Sequence, residues 1–229
     1  MSNKLIIGEI SIVVRGGKLK VSQINPDFLK WKQVVPEDWN LITEPLASES
    51  LAQVKFDNEI SITATVNSIQ FIQANLVKRG DKIILPELVE KYITLVEDDY
   101  RQLGINPKGH IIYGDSFEEV HSYLVDNFLV KGPWNDFGGG LKGFGFNMFY
   151  PIQAGQLTIK VEVRGLKSQG EKGEAIVPII LFESNFHREI KGDINKDKGN
   201  QVIDYISAWK SDLEIVEKFA SMMTPKKRR

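Results

Sequence analysis

The fold turns on how residues 85–115, LPELVEKYITLVEDDYRQLGINPKGHIIYGD, are read. Leu88, Val89, Tyr92, Leu95, Val96, Tyr100 and Leu103 recur at three- and four-residue spacing, as in an amphipathic helix that buries one stripe. Pro86 stands near the start, where a missing N–H costs nothing, and Gly104 stands just past the end, where a left-handed residue is useful. The spacing predicts a helix over 86–103. Asn106, Pro107 and Gly109 then read as a turn, and residues 110–113 as a short strand before Gly114 and Asp115.

Working outward, the same order of elements stands on both sides. Residues 5–14, rich in Ile and Val, read as a strand. Asn25 offers an N-cap to a short helix that starts at Pro26 and carries Phe28, Leu29 and Trp31. Residues 36–47, broken at Pro36 and Pro45, read as a surface connection with Trp39 and Leu41 tacked onto the core. Strands at 52–56, 60–66 and 69–73 follow, joined at Asp57-Asn58 and Asn67-Ser68.

Beyond the central segment, Ser116 and Glu119 form a capping box ahead of the stripe Phe117, Val120, Leu124 and Phe128. Residues 144–150 read as a strand, 157–164 alternate cleanly, and 169–174 form a charged hairpin loop. Residues 175–182 are apolar on both faces, as in a central strand, while Pro178 cannot donate to a ladder and argues for an edge or a bulge. From about Asn200 a closing helix sets Val202, Ile206, Trp209, Leu213, Val216, Ala220 and Met223 on one seam, with Trp209 expected in the core. The expected class is α+β: two similar halves, 1–105 and 106–224, each a mostly antiparallel sheet packed by helices. Strand, helix, three strands, helix in each half suggests an internal duplication, with residues 225–229 as a basic tail.

Twenty-nine Lys and Arg balance thirty Asp and Glu, so the body of the chain has no general attraction for phosphate backbones and nucleic acid is not the expected partner. The chain has no cysteine, which excludes disulfides, thiolate nucleophiles and cysteine metal sites. Gly8 and Glu9 interrupt the first apolar run, so no signal peptide is expected, and the run 175–182 is too short to span a bilayer. The expected location is the cytoplasm.

The loudest local string is Asp136-Phe137-Gly138-Gly139-Gly140-Leu141-Lys142-Gly143, inside a loop, 132–145, that holds six glycines. It contains a literal Gly-x-Gly-x-x-Gly, yet a dinucleotide loop needs a strand before it and a helix after it, and here a strand follows. A kinase reading fails too, since no His-Arg-Asp catalytic loop is present. The loop therefore reads as a connection whose glycines allow positive φ. The alternative is a binding loop whose backbone N–H groups cradle an anion, with Trp134, Asp136, Gly138, Gly139, Gly140 and Lys142 as candidate ligand-binding residues. His110, His121 and His187 have no metal-ligand spacing, and Gly-x-Ser-x-Gly does not occur, so no catalytic residue, metal site or cofactor is assigned. The acids Glu97, Asp98, Asp99, Glu118 and Glu119 read as solvated charge on helices. Ser61, Thr63 and Thr65, with Lys160, Glu162 and Arg164, line polar sheet faces that read first as solvated sheet; the alternative, if the halves share a continuous sheet, is one concave binding surface.

The segment Tyr100-Arg101-Gln102-Leu103-Gly104-Ile105-Asn106 after a long helix, and a second half that closes in a helix with Trp209 and Phe219, resemble a sporadically distributed family of bacterial proteins of similar length. Members often end their last strand in acidic residues, where this chain has Glu183, Ser184 and Asn185. The resemblance implies a fold of two α+β halves and no activity. The expected function is that of a non-catalytic binding or assembly protein, with a protein partner or self-association. The alternative is an enzyme or small-ligand-binding protein with its cleft between the halves, near the loop 132–145.

Overall fold

The computed structural model describes residues 4–79, 82–170, 173–193 and 195–223. In chain order its elements are β1 (Ile6–Gly16), α1 (Pro26–Trp31), β2 (Leu46–Ala47), β3 (Leu51–Lys55), β4 (Ile60–Thr65), β5 (Ser68–Gln73), α2 (Leu85–Leu95) and β6 (Tyr100–Ile112). They continue with α3 (Phe117–Phe128), β7 (Gly145–Ile152), β8 (Gly155–Gly170), β9 (Gly173–Glu189), α4 (Asn195–Ser207) and α5 (Trp209–Met223). All nine strands form one antiparallel sheet in the order β2-β3-β4-β5-β1-β6-β9-β8-β7.

The expected helix over 86–103 is corrected: α2 stops at Leu95, and the expected turn at Asn106, Pro107 and Gly109 lies inside β6. Leu103, Ile105, Pro107, Gly109 and Ile111 are buried in strict alternation, the period of a strand. A register shift between Arg15↔Gln102 and Gly16↔Tyr100 leaves Arg101 out of the ladder, which turns Tyr100 onto the face of Leu103. That bulge mimics helical spacing. Pro107 is tolerated because the β6–β9 pairing skips from Ile105↔Phe186 to Lys108↔Glu183, where its nitrogen would have had to donate. The boundary between residues 105 and 106 thus falls within a strand.

Of the acids before β6, all beyond the end of α2, Glu97 is exposed as expected, but Asp98 and Asp99 are not solvated charge. Asp98 is buried, with its carboxylate accepting from the Lys20 N–H, and Asp99 pairs with Lys198 of α4 and Arg101. Tyr100 Oη donates to the Val96 carbonyl at 2.6 Å. Glu119, by contrast, is exposed and accepts from the Asp115 N–H, while Ser116 caps α3 through the Glu119 N–H.

Elsewhere β1, β3, β4 and β5 fall where alternation and turn residues put them, and Asn25 caps α1 through the Phe28 N–H at 2.8 Å. Residues 36–47 carry the two-residue β2 and the single bridge Leu41↔Phe56, with Trp39 edge-on to Phe56 at 5.2 Å. Pro178 is harmless because β6 ends at Ile112↔Ile179, so β9 has no neighbour on that side beyond it. Strands β8 and β9 pair out to Gly170↔Gly173; the connection at 171–172 lies outside the described residues, as does the tail 225–229. Glu183, Ser184 and Asn185 sit within β9, which runs on to Glu189.

The closing helix is two helices: α4 begins at Asn195 and breaks at Ala208 before α5. Trp209 is half-buried, and the interior position on that turn belongs to Asp212. Its carboxylate receives both terminal nitrogens of Arg188 from β9, at 2.9 and 2.6 Å, a bidentate pair with side chains only 8% and 4% exposed.

Candidate binding surface

Pairing registers assign every strand residue to one of two faces. The cross-sheet row Ile62↔Phe71↔Ile12↔Ile105↔Phe186↔Leu157 is buried throughout. Onto this face pack α2 (against β1 and β5), α4 (β6), α5 (β6 and β9) and α3 (β8 and β9), and the buried residues of all five helices join one core with it. The opposite row runs Thr63↔Gln70↔Val13↔Gly104↔His187↔Gln156, and each of these residues is half-buried or exposed. Among the described residues no helix packs on this second face, so strands cover one side of the core and present the other side outward.

Ser61, Thr63 and Thr65 of β4 and Lys160, Glu162 and Arg164 of β8 lie on this same open face of the continuous sheet. Five strand spacings separate the two groups, about 24 Å.

Three zones divide the face. In the middle, Val13, Arg15, Gln102, Leu103, Gly104, Asn106, Asn185 and His187 line a hollow of about 240 Å³. Asn106 is held by donating to the Ser11 hydroxyl at 3.3 Å. Gly104 forms the floor: a Cβ built there comes no closer than 3.4 Å to Asn185 Oδ1, so a side chain at this position would fill the hollow without disturbing the strand.

Beside the hollow runs an ionic ladder. Glu183 bridges Lys108 (2.8 Å) and Lys160 (3.3 Å), and Glu162 bridges Lys160 (3.0 Å) and Arg164 (2.9 Å). The hydrogen bond from Lys108 holds the Glu183 carboxyl below its ordinary range, outweighing burial. Burial disfavours the charge on Glu162, yet the bonds from Arg164 and Lys160 prevail and hold it low as well. The Glu162 and Glu183 hydrogen bonds keep Lys160 protonated to higher pH than usual. Two carboxylates thus offset two of the three cations, which leaves the ladder a single positive charge and weakens its pull on a polyanion.

At one end of the face, Gly8, Glu9, Val77, His110, Ile112, Ile179 and Leu181 help line a trough of about 690 Å³ that is mostly apolar. Burial lowers the pKa of His110, which favours the neutral ring.

The glycine loop meets this face only at its end, where Lys142 and Gly143 share a cavity with Glu162 and Arg164. Gly138, Gly139 and Gly140 have φ of 61°, 91° and 97°, and the chain around them folds back on itself through Asn135, whose carbonyl accepts from the Leu141 N–H and whose side chain accepts from the Gly132 N–H. Phe137 is 83% exposed, and Trp134 and Asp136 line none of the hollows described. Lys142 alone of the six candidates reaches a cavity, one of about 360 Å³ shared with Phe117, His121, Glu162 and Arg164, where His121 Nε2 is buried without a hydrogen-bond partner.

Gln102, Gly104, Asn106 and Asn185 were not read as surface positions, and His110 and His187 were weighed only as metal or catalytic groups. For the β6 residues the signal was the polar half of an alternation, Gln102, Gly104, Asn106, Lys108, His110, against Leu103, Ile105, Pro107, Gly109, Ile111; Pro107 and two glycines disguised it as a turn. Among the described residues no helix is long and apolar enough to cross a membrane, and no three potential metal ligands gather. No protein-family model matches this chain, and neither does any curated protein.

Proposed function

We propose that the protein is a non-catalytic binding protein whose open sheet face receives a polypeptide partner. The observation that carries this reading is the zoning of that face: a hollow rich in amides, a ladder of mixed charge and an apolar trough lie side by side on one continuous sheet. A polypeptide offers backbone groups for amides, side-chain charges for a mixed ladder and apolar side chains for a trough, whereas a nucleic acid would find a net ladder charge of only +1 and would meet two carboxylates.

The face is continuous across two halves with matching layouts. Each half sets its first strand at the centre of the sheet beside its own last strand, β5-β1 and β6-β9, and follows it with a helix and three strands, to which the first half adds the two-residue β2. This order supports descent by duplication, with the junction between α2 and β6. A chain without cysteine suits the bacterial cytoplasm.

The test is to select peptides from a random display library on the intact protein and to titrate them against Gly104→Val, which fills the hollow, and Leu181→Lys, which charges the trough. A loss of affinity of at least about tenfold on either variant, worth about 1.4 kcal/mol, with unfolding midpoints unchanged, is the expected result. Peptides that bind both variants as tightly as wild type would remove the open face from consideration.

A second reading is favoured by the cavity of Lys142 and His121: a small-ligand site or an enzyme cleft beside the glycine loop. A thermal-shift screen of nucleotides, metal ions and metabolites separates the two. Stabilisation that vanishes in Lys142→Ala would support the loop, and no response would leave the sheet face as the site.

A further inference from the structure

The two edges of the sheet are built differently. At one end, β2 is two residues long and flanked by Pro45, Glu44 and Glu49, the devices by which sheets refuse a further strand. At the other end, β7 runs for eight residues, six of them (145–150) ahead of Pro151, whose nitrogen cannot donate, and the seventeen residues 143–159 around it contain no charge. Phe149 is 63% exposed on the outward side of this edge.

On the helical side of the same edge, α5 carries Ile215, Phe219 and Met222 at i, i+4 and i+7, with Met222 66% exposed. Tyr150, Pro151, Ile152, Ile215 and Met222 border a mostly apolar groove of about 360 Å³ between strand and helix, with buried Phe219 behind it and Lys218 as its single charged neighbour.

We infer that β7 and α5 form a two-fold interface with a second copy of this chain, which extends both layers into an eighteen-stranded sheet backed by a paired α5. The occupant follows from what is left open. A lone strand would cover the edge and leave the helix stripe wet, and a lone helix would do the reverse. Only a partner with an uncharged edge strand and an apolar helix stripe in this same arrangement covers both, and a copy has them by construction. The contact measures roughly 27 Å along the strand by roughly 20 Å through the two layers, the order of size of a standard interface. Having no charged group on either side, β7 meets its copy without like-charge repulsion.

Alternation restricts the register. Residues opposite each other in an antiparallel pair share a face, so a strand paired with its own copy must place one residue on the two-fold axis. Near the middle of β7 that residue is Met148 or Phe149. The chain has no cysteine, so Met148→Cys and Phe149→Cys each introduce one thiol, and one of the two should oxidise to a disulfide-linked dimer.

The deciding experiment is sedimentation velocity of the full chain over micromolar to sub-millimolar concentration, with Phe149→Lys and Met222→Glu as variants at exposed positions. The expected result is a dimer of 25.9 kDa chains whose dissociation constant rises at least about tenfold in each variant, with circular dichroism unchanged, together with the disulfide at 148 or 149. A monomer at every concentration would overturn the inference. So would a dimer that survives both charges, or one in which neither thiol cross-links.

Discussion

Replacing Asp212 by Ala is expected to be among the most costly single changes in the core. The carboxylate makes two bonds to Arg188, at 2.9 and 2.6 Å, and both side chains are almost wholly buried. At an effective dielectric constant of about 20, unit charges about 4 Å apart attract by about 4 kcal/mol. Desolvation costs several kcal/mol per ion, so the intact pair contributes little net stability. Removing one partner leaves the other charge buried with no compensation, at a cost of about 3–5 kcal/mol. In a chain of this length each kcal/mol lowers the melting temperature by about 2–4 °C, so Asp212→Ala should melt about 6–20 °C earlier. Arg188→Met with Asp212→Leu removes both charges and should recover most of the loss. Urea unfolding followed by tryptophan fluorescence and circular dichroism, run as a double-mutant cycle, measures these terms. A single-mutant cost below about 1 kcal/mol would mean that the pair is hydrated, and the reasoning would fail.

Two further perturbations address the surface. Glu183 and Glu162 have carboxyl pKa values depressed in the folded protein, so their contribution is present above the ordinary glutamate value of about 4.3 and is lost as pH falls through the folded values; Glu183→Gln should flatten the acid limb of a stability-versus-pH curve, and an identical limb would dismiss the ladder as a stabilising feature. Gly139→Ala and Gly140→Ala place side chains at φ of 91° and 97° with no atom nearer than 3.8 Å, so each should cost about 1 kcal/mol through the backbone alone, as read by urea midpoints; a loss several times larger would show that the loop packs against something unseen.

Much of the architecture was legible where one period dominated. Ile60, Ile62 and Ala64 against Ser61, Thr63 and Thr65 admitted only a half-buried strand, and Ser116 with Glu119 marked a helix start. Legibility failed where a bulge mixed the periods. Tyr100 and Leu103 share a face through the dislocation at Arg101, and no local rule separates that from a helical turn. The break at Ala208 was hidden because Val202, Ile206, Trp209 and Leu213 continue one helical stripe, although burial shifts to Asp212 after the break. The open face was half visible: Ser61, Thr63, Thr65, Lys160, Glu162 and Arg164 read as polar faces. That they share a side depended on β1 pairing with β6, a long-range contact that alternation alone does not dictate.

That central pairing has a consequence for how the chain reaches its native state. The strands β3, β4 and β5 are joined by short turns and can close on themselves, but Ile10 meets Pro107 and Gln102 meets Glu189. Closing loops of such length must precede any return from the contacts they create, which places this sheet among the slower folders. During synthesis the inner edge of β1 has no partner until residue 112 has left the ribosome, and β6 in turn waits for the final third of the chain. The middle of the sheet, the most protected region once folding is complete, is therefore the last to be sealed, and a chain truncated before β6 would display its stickiest edge.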